Sequence, residues 1–185
     1  MIIVYHQNNK VVEVDFGSEN IVFSQKSIAS VLFEIAQRYS DELIIWCRND
    51  FRTDLNYSRF QNIFHHKKIM ASYNVSGNTF LPETLGYVDQ ALFLNVKKDV
   101  SYPTWLMSSD IGGIHASVLN LLKGNISEDS SFDYFLTSMA KQSMFLGLQC
   151  YSEPLLLKDS PKYSTKNENN NYLLFRFVKQ HYRTR

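Results

Sequence analysis

The sequence contains few of the residues that define disulfide-rich or metal-bound small folds. Its only cysteines, Cys47 and Cys150, are far apart in the 185 residues. Two such cysteines fit neither a disulfide framework nor a zinc-ligand cluster, so we expect a reducing compartment. No apolar run has the length of a membrane span, and no secretory signal is visible. These absences predict a cytoplasmic protein.

Excess charge of one sign is also missing, because 19 Lys and Arg face 18 Asp and Glu, a net charge of +1. A chain with so little net charge creates no overall field that attracts nucleic acid, and we expect no nucleic-acid partner. Hydrophobic residues make up 44% of the chain and aromatic residues 14%. This composition is sufficient for the core of about one domain.

Several catalytic motifs are absent as well. The sequence contains no Gly-x-Ser-x-Gly elbow, P-loop, Gly-x-Gly-x-x-Gly or His-Glu-x-x-His pattern. The sequence therefore contains no motif that favours a hydrolase, a nucleoside triphosphatase or a dinucleotide-binding enzyme. The pair His65-His66 adjoins Lys67-Lys68, which we interpret as a solvated positive turn because no third zinc ligand stands at a familiar spacing.

Strand-like and helix-like segments alternate along the chain, which predicts an α/β fold with a mixed, mainly parallel central sheet flanked by helices. Leu43–Cys47 is a continuous apolar run, typical of a strand covered on both faces. Apolar residues recur at helical spacing from Ile28. We predict a hairpin from 2–5 and 11–16, strands at 68–73, 91–96 and 146–151, helices at 55–63, 114–122 and 132–140, and a loop at 74–85.

The last part of the chain differs in composition. We predict an α/β domain over residues 1–158, a polar linker over 159–171 and a basic segment over 172–185. Arg176, Lys179, Arg183 and Arg185 give the last segment a charge of +4 without any acid. It is either a peripheral membrane contact or an ordinary C-terminal amphipathic helix.

The stretch from Trp105 to Val118 is the most informative for function. It combines an apolar strand, Asp110 at the end of that strand, the pair Gly112-Gly113 and the start of a helix. Ligands of open α/β sheets collect outside the carboxyl ends of strands. Asp110 is therefore placed for a hydroxyl or for Mg²⁺ or Mn²⁺ against a diphosphate. The alternative is that Asp110 caps the helix and that the glycines fit the turn.

Asp133 allows two similar interpretations. Ser130-x-x-Asp133 stands at the start of an apolar-periodic helix and is typical of a capping box. The functional alternative is that the Asp133 carboxylate is a catalytic base. His115 follows apolar Ile114 and projects either into a cleft or toward solvent.

A family resemblance is carried by three segments, residues 112–119, 131–136 and 146–148. They resemble the second half of family 2 glycosyltransferases of the GT-A fold, in which a small-residue segment precedes a helix, an acidic helix start follows and a Gly-containing turn leads into a strand. A first strand ending at Tyr5-His6 and a second ending near Asp50 agree with it. The resemblance covers residues 1–158, and the chain is similar to family 2 glycosyltransferases of Bacteroidetes bacteria.

This resemblance implies a reduced GT-A, Rossmann-like sheet and a hexosyltransferase-type enzyme of surface polysaccharide or glycan synthesis. Such an enzyme moves a sugar from a nucleotide-sugar donor to a hydroxyl of a glycan or lipid-linked acceptor, here at the inner membrane surface. Asp133 would be the catalytic base, and Asp110 would bind Mg²⁺ or Mn²⁺. The implied donor-binding residues are Tyr5, His6, Asp50, Ser108, Gly112, Gly113 and His115.

The sequence departs from the family at three motifs, one of which, the Gly-x-Ala-Arg-Asn segment, is absent. Ser108-Ser109-Asp110 stands in place of the metal-binding Asp-x-Asp, so one carboxylate remains and metal binding is weak or substrate-dependent. Arg48-Asn49 replaces the usual acidic pair after the second strand. The competing hypothesis is a catalytically inactive α/β module that binds a nucleotide sugar or a partner.

Overall fold

The structure, a computed structural model, describes residues 1–17, 19–20, 23, 26–76, 80–82, 85, 89–90, 92–94, 99–122, 131–158 and 170–182. The strands among these residues are β1 (Ile2–Gln7), β2 (Lys10–Phe16), β3 (Glu19–Asn20), β4 (Leu43–Arg48), β5 (Ile69–Tyr73), β6 (Tyr102–Pro103), β7 (Ile111–His115) and β8 (Gln149–Ser152). The helices are α1 (Ile28–Arg38), α2 (Tyr57–Ile63), α3 (Ala116–Leu122), α4 (Phe132–Ser143) and α5 (Asn171–His181).

The described strands form one mixed sheet in the order β3-β2-β1-β4-β7-β5-β8-β6. Only two of its neighbouring pairs, β1/β4 and β5/β8, are parallel. The remaining five pairs are antiparallel. The predicted α/β class and the mixed sheet are confirmed, but the expectation of a mainly parallel sheet is wrong. The physical reason is that β7 runs antiparallel between β4 and β5, and that hairpin pairing adds β2 and β3 at one edge.

The first two strands form the predicted hairpin. Asn8 and Asn9 lie at its turn with positive φ angles of 49° and 62°. Two residues with positive φ match the right-handed twist of the flanking strands, and asparagine tolerates this conformation better than most residues. The prediction of a hairpin from 2–5 and 11–16 is therefore confirmed.

The apolar run predicted as a doubly covered strand is β4. Ile44 and Trp46 are buried on the face that carries α1, α3, α4 and α5. Ile45 and Cys47 are buried on the opposite face, in a core that also contains Phe60 from α2. Because successive side chains of a strand point to opposite faces, a strand buried on both sides needs apolar residues at every position.

The segment around the paired glycines differs most from the prediction. The predicted strand beginning at Trp105 is absent from the described residues, where 104–108 is irregular. Gly112 and Gly113 lie inside β7 instead of in a turn, and the helix begins at Ala116. A Cβ on Gly112 would lie 2.3 Å from Cζ2 of Trp46. These glycines are therefore explained by the packing of a bulky neighbour and not by backbone freedom.

The other segments agree in part with the predictions. The helices predicted at 28, 55–63 and 132–140 correspond to α1, α2 and α4, and the strands predicted at 68–73 and 146–151 correspond to β5 and β8. Residues 92–94 form a 3-10 turn, so the strand predicted at 91–96 is wrong there. Residues 74–76, 80–82 and 85 form no helix or strand, in agreement with the loop predicted at 74–85, and the other five residues of that loop lie outside the described residues. The remaining residues of the predicted strand and most of the linker at 159–171 also lie outside them.

The basic C-terminal segment contributes α5, which packs on the face of the sheet that carries α4. Phe177 of α5 is fully buried in the core of that face. A side-chain hydrogen bond also joins α4 to α5, in which Oη of Tyr134 donates to Oε1 of Gln180 at 2.7 Å. In the described part of the chain, the helices are too short or too polar to cross a bilayer.

We predict that Gly112→Ala destabilises the protein by about 1–3 kcal/mol or more, because the new methyl group meets Trp46 and the carbonyl of Ala71 within 2.6 Å. Gly113→Ala is the comparison and should lose less stability, since its Cβ would approach the Phe64 ring at 3.0 Å and a small shift of that ring relieves the contact. Urea denaturation measures both. Equal stability of the two variants would contradict the packing explanation.

Candidate functional site

Five ionisable side chains, His6, Arg48, Asp50, Asp110 and Asp133, lie near one another at one edge of the sheet; we call them the Arg48 cluster. The strands bring them together. His6 and Arg48 are register partners at the carboxyl ends of the parallel strands β1 and β4. Asp110 immediately precedes β7, which runs antiparallel to β4, and its carbonyl accepts a hydrogen bond from the Arg48 N–H at 2.7 Å. Asp133 comes from the first turn of α4.

Asp110 is the most buried acid of the cluster, with 1% of its surface exposed. Its Oδ1 accepts from Nη1 of Arg48 at 2.6 Å. Its Oδ2 accepts from the backbone N–H of Ser76 at 2.7 Å. A buried carboxylate is costly unless it is paired and hydrogen-bonded, and both conditions are met here. Asp110 precedes a strand, so the alternative that it caps a helix is wrong.

Arg48 lies between two carboxylates. Its Nε is 3.1 Å from Oδ2 of Asp50, whose side chain is 50% exposed. The guanidinium also lies 4.4 Å from the centre of the Phe51 ring. Arg48 was noted in the sequence only as a departure from the family pattern. The sequence signal that could have identified Arg48 is a positively charged residue directly after the apolar run Leu43–Cys47.

Asp133 contacts the residue that precedes Asp110. Its Oδ1 accepts from the backbone N–H of Ser109 at 2.7 Å. Burial is the largest influence and raises the pKa of Asp133 from 3.8 to about 6, while the bond from Ser109 opposes this shift. The helix is capped by Ser131, whose Oγ accepts from the N–H of Tyr134 at 3.3 Å. The predicted capping box at 130–133 is therefore wrong, and the Asp133 side chain bonds to Ser109 instead.

His6 is joined to Asp133 through the same peptide segment. Its Nε2 donates to the carbonyl of Ser109 at 2.8 Å. Burial lowers the pKa of His6 from 6.5 to about 4, so the ring is neutral at pH 7. In that form Nδ1 carries a free lone pair, and this buried atom has no hydrogen-bond partner among the described residues. Ser109 thus bridges an acid and a neutral imidazole.

Several residues predicted to bind the donor lie elsewhere. Tyr5 is buried in the core on the α2 side of the sheet. Gly112 and Gly113 are in the middle of β7. His115 is at the other end of that strand, about 13 Å along it from Ile111, and its Nε2 donates to the carbonyl of Phe64 at 3.3 Å. The structure therefore does not bring these four residues to the Arg48 cluster.

Ser108 lies next to the cluster and makes three hydrogen bonds that fix the segment before β7. Its carbonyl accepts from Nε1 of Trp46 at 2.9 Å, and its N–H donates to Oγ of Ser72 at 3.0 Å. Its own Oγ accepts from the N–H of Asp110 at 3.1 Å. These bonds hold the segment before β7 in place, so Ser108 positions Asp110. In the described ranges no three His, Cys, Asp or Glu side chains are grouped as metal ligands.

A separate cavity of about 260 Å³ lies beside α2 and includes Gln149 and Tyr151 in its lining. Arg59 donates there to the buried carboxylate of Glu153 at 2.7 Å. The same carboxylate accepts from the N–H of Leu155 at 3.0 Å. The lining includes none of the residues predicted as site residues. We therefore place the candidate site at the Arg48 cluster.

No protein-family model matches the chain, and no significant match was found to a curated protein or a solved structure.

We predict that Asp133→Asn changes how stability depends on pH. An acid whose pKa is higher in the folded state stabilises that state below pH 3.8, and this contribution disappears as the pH rises through about 6. The amide of the variant would keep an oxygen for the Ser109 N–H but has no charge to bury. The variant should gain on the wild type between pH 4 and pH 7, by up to about 2–3 kcal/mol.

Urea denaturation at several pH values measures this difference. Asp41→Asn is the control, because Asp41 is exposed and pairs with Lys67 at the surface. Its stability relative to the wild type should stay constant between pH 5 and pH 7. Parallel curves for the wild type and Asp133→Asn would contradict a raised pKa at Asp133.

Proposed function

We propose that the protein is a glycosyltransferase that moves a sugar from a nucleotide diphosphate to an acceptor hydroxyl. The observation that carries the proposal is the position of Asp133, a half-buried carboxylate with a raised pKa beside Arg48 and Asp110. Catalytic acids and bases are found where burial and neighbouring charges shift pKa values in this way. The resemblance to family 2 glycosyltransferases supplies the substrate class, surface polysaccharide or glycan synthesis and the reduced GT-A-like fold.

Asp133 acts as the general base in this proposal. A base works best when its pKa is near the working pH, and a value of about 6 meets that condition while most of the carboxylate stays ionised at pH 7. The acceptor O–H gives its proton to Asp133 as its oxygen bonds to the anomeric carbon. The bond from that carbon to the diphosphate oxygen breaks, and the nucleoside diphosphate leaves with the electron pair.

The donor lies at the carboxyl ends of β1 and β4. Ligands of α/β sheets bind outside this end of parallel strands, and β1 and β4 place His6, Arg48 and Asp50 there. The leaving diphosphate gains negative charge, which the Arg48 guanidinium can stabilise. Among the implied donor-binding residues, His6 and Asp50 lie at this end of the strands, where Asp50 pairs with Arg48, and Ser108 contributes by positioning Asp110.

A binding module without catalysis is the second candidate. It is favoured by one observation, the pairing of Arg48 with Asp110 at 2.6 Å, because this pair uses an acid that the family resemblance assigns to metal binding. Such a module would still bind nucleotide sugars but would not release the diphosphate. Turnover therefore separates the two candidates.

We predict that Asp133→Asn lowers the transfer rate at least about 100-fold and leaves donor affinity within about twofold, because a general base contributes to the transition state and little to donor binding. Release of UDP or GDP from a panel of nucleotide sugars, with a bacterial glycan extract as acceptor, measures the rate. Isothermal titration with the same donors measures affinity.

Asp41→Asn serves as the control and should keep both properties. A wild type that binds a donor without turnover would favour the binding module. A wild type that binds none of these donors would contradict both candidates.

We also propose a peripheral membrane contact through α5, where lipid-linked acceptors are found. Tyr172 and Phe175 are 73% and 71% exposed, and Lys179 is exposed on the same side of the helix. Aromatic and basic side chains suit the interface of an anionic bilayer. The opposite side of α5, with Phe177, packs into the core. The helix therefore offers an outer face for lipid while remaining part of the fold.

We predict that the double variant Tyr172→Ser, Phe175→Ser binds vesicles containing phosphatidylglycerol several-fold more weakly than the wild type, because it loses apolar area at the interface. Co-sedimentation with these vesicles measures binding. Leu121→Ser on α3 is the matched control, since Leu121 is 77% exposed. Equal recovery of the double variant and the wild type would contradict the membrane contact.

A further inference from the structure

The Arg48 guanidinium occupies the space between two carboxylates of the candidate site. Nη1 is 2.6 Å from Oδ1 of Asp110, and Nε is 3.1 Å from Oδ2 of Asp50. Two carboxylates around one positive charge is the arrangement in which a divalent cation is often held. Here the positive charge belongs to the chain itself.

The residues present do not fit a metal ion at Asp110. Of its two carboxylate oxygens, Oδ1 accepts from Arg48 and Oδ2 accepts from the N–H of Ser76. An ion binding there would have to displace a partner of a buried charge, and breaking a buried ion pair is strongly unfavourable. Because the position is filled by a guanidinium, Asp110 is better described as the residue that fixes Arg48.

The two ion pairs of Arg48 differ in strength. The pair with Asp110 is buried, since that carboxyl side chain is 2% exposed, whereas the Asp50 side chain is 50% exposed. Exposed pairs contribute little to stability, so an incoming anion can replace Asp50 at small cost. The Nε of Arg48 is buried and lacks a hydrogen bond among the described residues although it lies 3.1 Å from Oδ2 of Asp50, so this donor is unsatisfied until a ligand oxygen takes the place of the Asp50 carboxylate.

The ion pair with Asp110 also fixes the orientation in which the Arg48 guanidinium can bind a phosphate. Asp110 holds Nη1, and the Phe51 ring lies 4.4 Å from the guanidinium carbon. A planar guanidinium held in one orientation binds phosphate oxygens through several N–H groups at once. Less side-chain freedom is then lost when the ligand binds.

We infer that Arg48 binds the diphosphate of the donor in place of a divalent cation, so that donor binding is independent of metal. This inference rests on the proposed function, from which the diphosphate comes. A phosphate oxygen replaces Asp50 on the outer side of Arg48, while Asp110 keeps the inner side. The expectation of Mg²⁺ or Mn²⁺ from the family resemblance makes the opposite prediction.

Isothermal titration with UDP and with GDP, in EDTA and in Mn²⁺, tests the inference. The wild type should bind one of them with the same affinity, within about twofold, under both conditions. Arg48→Gln should weaken binding in EDTA by about tenfold or more, because a hydrogen bond to a charged group is lost. Arg48→Lys should lie between them, since it keeps the charge without the planar donors. Arg38→Gln, which removes an exposed pair with Glu34 and a contact with the Phe23 ring, both outside the Arg48 cluster, is the control.

Because Arg48→Gln leaves Asp110 buried without its cation, the double variant Arg48→Gln, Asp110→Asn keeps a neutral pair in case the single variant does not fold. It should show the same loss of binding in EDTA. Binding of the wild type only in Mn²⁺ would overturn the inference and leave the proposed function standing. Unchanged affinity of the folded double variant would also overturn it. No binding of UDP or GDP under either condition would overturn the inference and the proposed function together.

Discussion

The buried ion pair between Arg48 and Asp110 connects three parts of the chain at the candidate site. Arg48 ends β4, Asp110 precedes the antiparallel strand β7, and the N–H of Ser76 follows β5 and bonds to the same carboxylate. Removing one member of a buried pair typically costs about 3–5 kcal/mol, because the remaining charge is left without a partner. The positions of Ser109, and therefore of the groups that bond to it, depend on this pair.

Ser109 is the second organising element, since its carbonyl accepts from His6 and its N–H donates to Asp133. Burial of the His6 and Asp133 side chains costs free energy of folding. Burial raises the pKa of Asp133 to about 6, and burial lowers the pKa of His6 to about 4 and leaves its Nδ1 without a partner in the described residues. Such departures from good polar pairing are concentrated at functional sites in proteins. The raised pKa of Asp133 beside the buried, neutral His6 is the physical basis for placing the proposed chemistry at the Arg48 cluster.

Local patterns predicted most of the elements and the class of the fold. The apolar spacing in α1, the doubly buried run of β4 and the asparagine turn of the first hairpin are properties of short windows. The error at β7 has a different origin. Paired glycines favour a turn when only their backbone freedom is considered, whereas here Trp46 from a neighbouring strand occupies the space of a Cβ on Gly112. The same error placed the predicted helix start too early, predicted a helix cap at Asp110 and implied a ligand-binding role for the glycines.

What the sequence by itself determined is therefore the α/β class, the main helices and strands and the two acids Asp110 and Asp133 as candidate functional residues. Only the tertiary structure decided which strands are antiparallel, that Arg48 pairs with Asp110, and that His115 lies far from the cluster. These facts depend on which segments become neighbours across the sheet. Contacts such as that between positions 48 and 110 join residues 62 apart in the chain, and no periodicity within a window of ten or twenty residues carries that information.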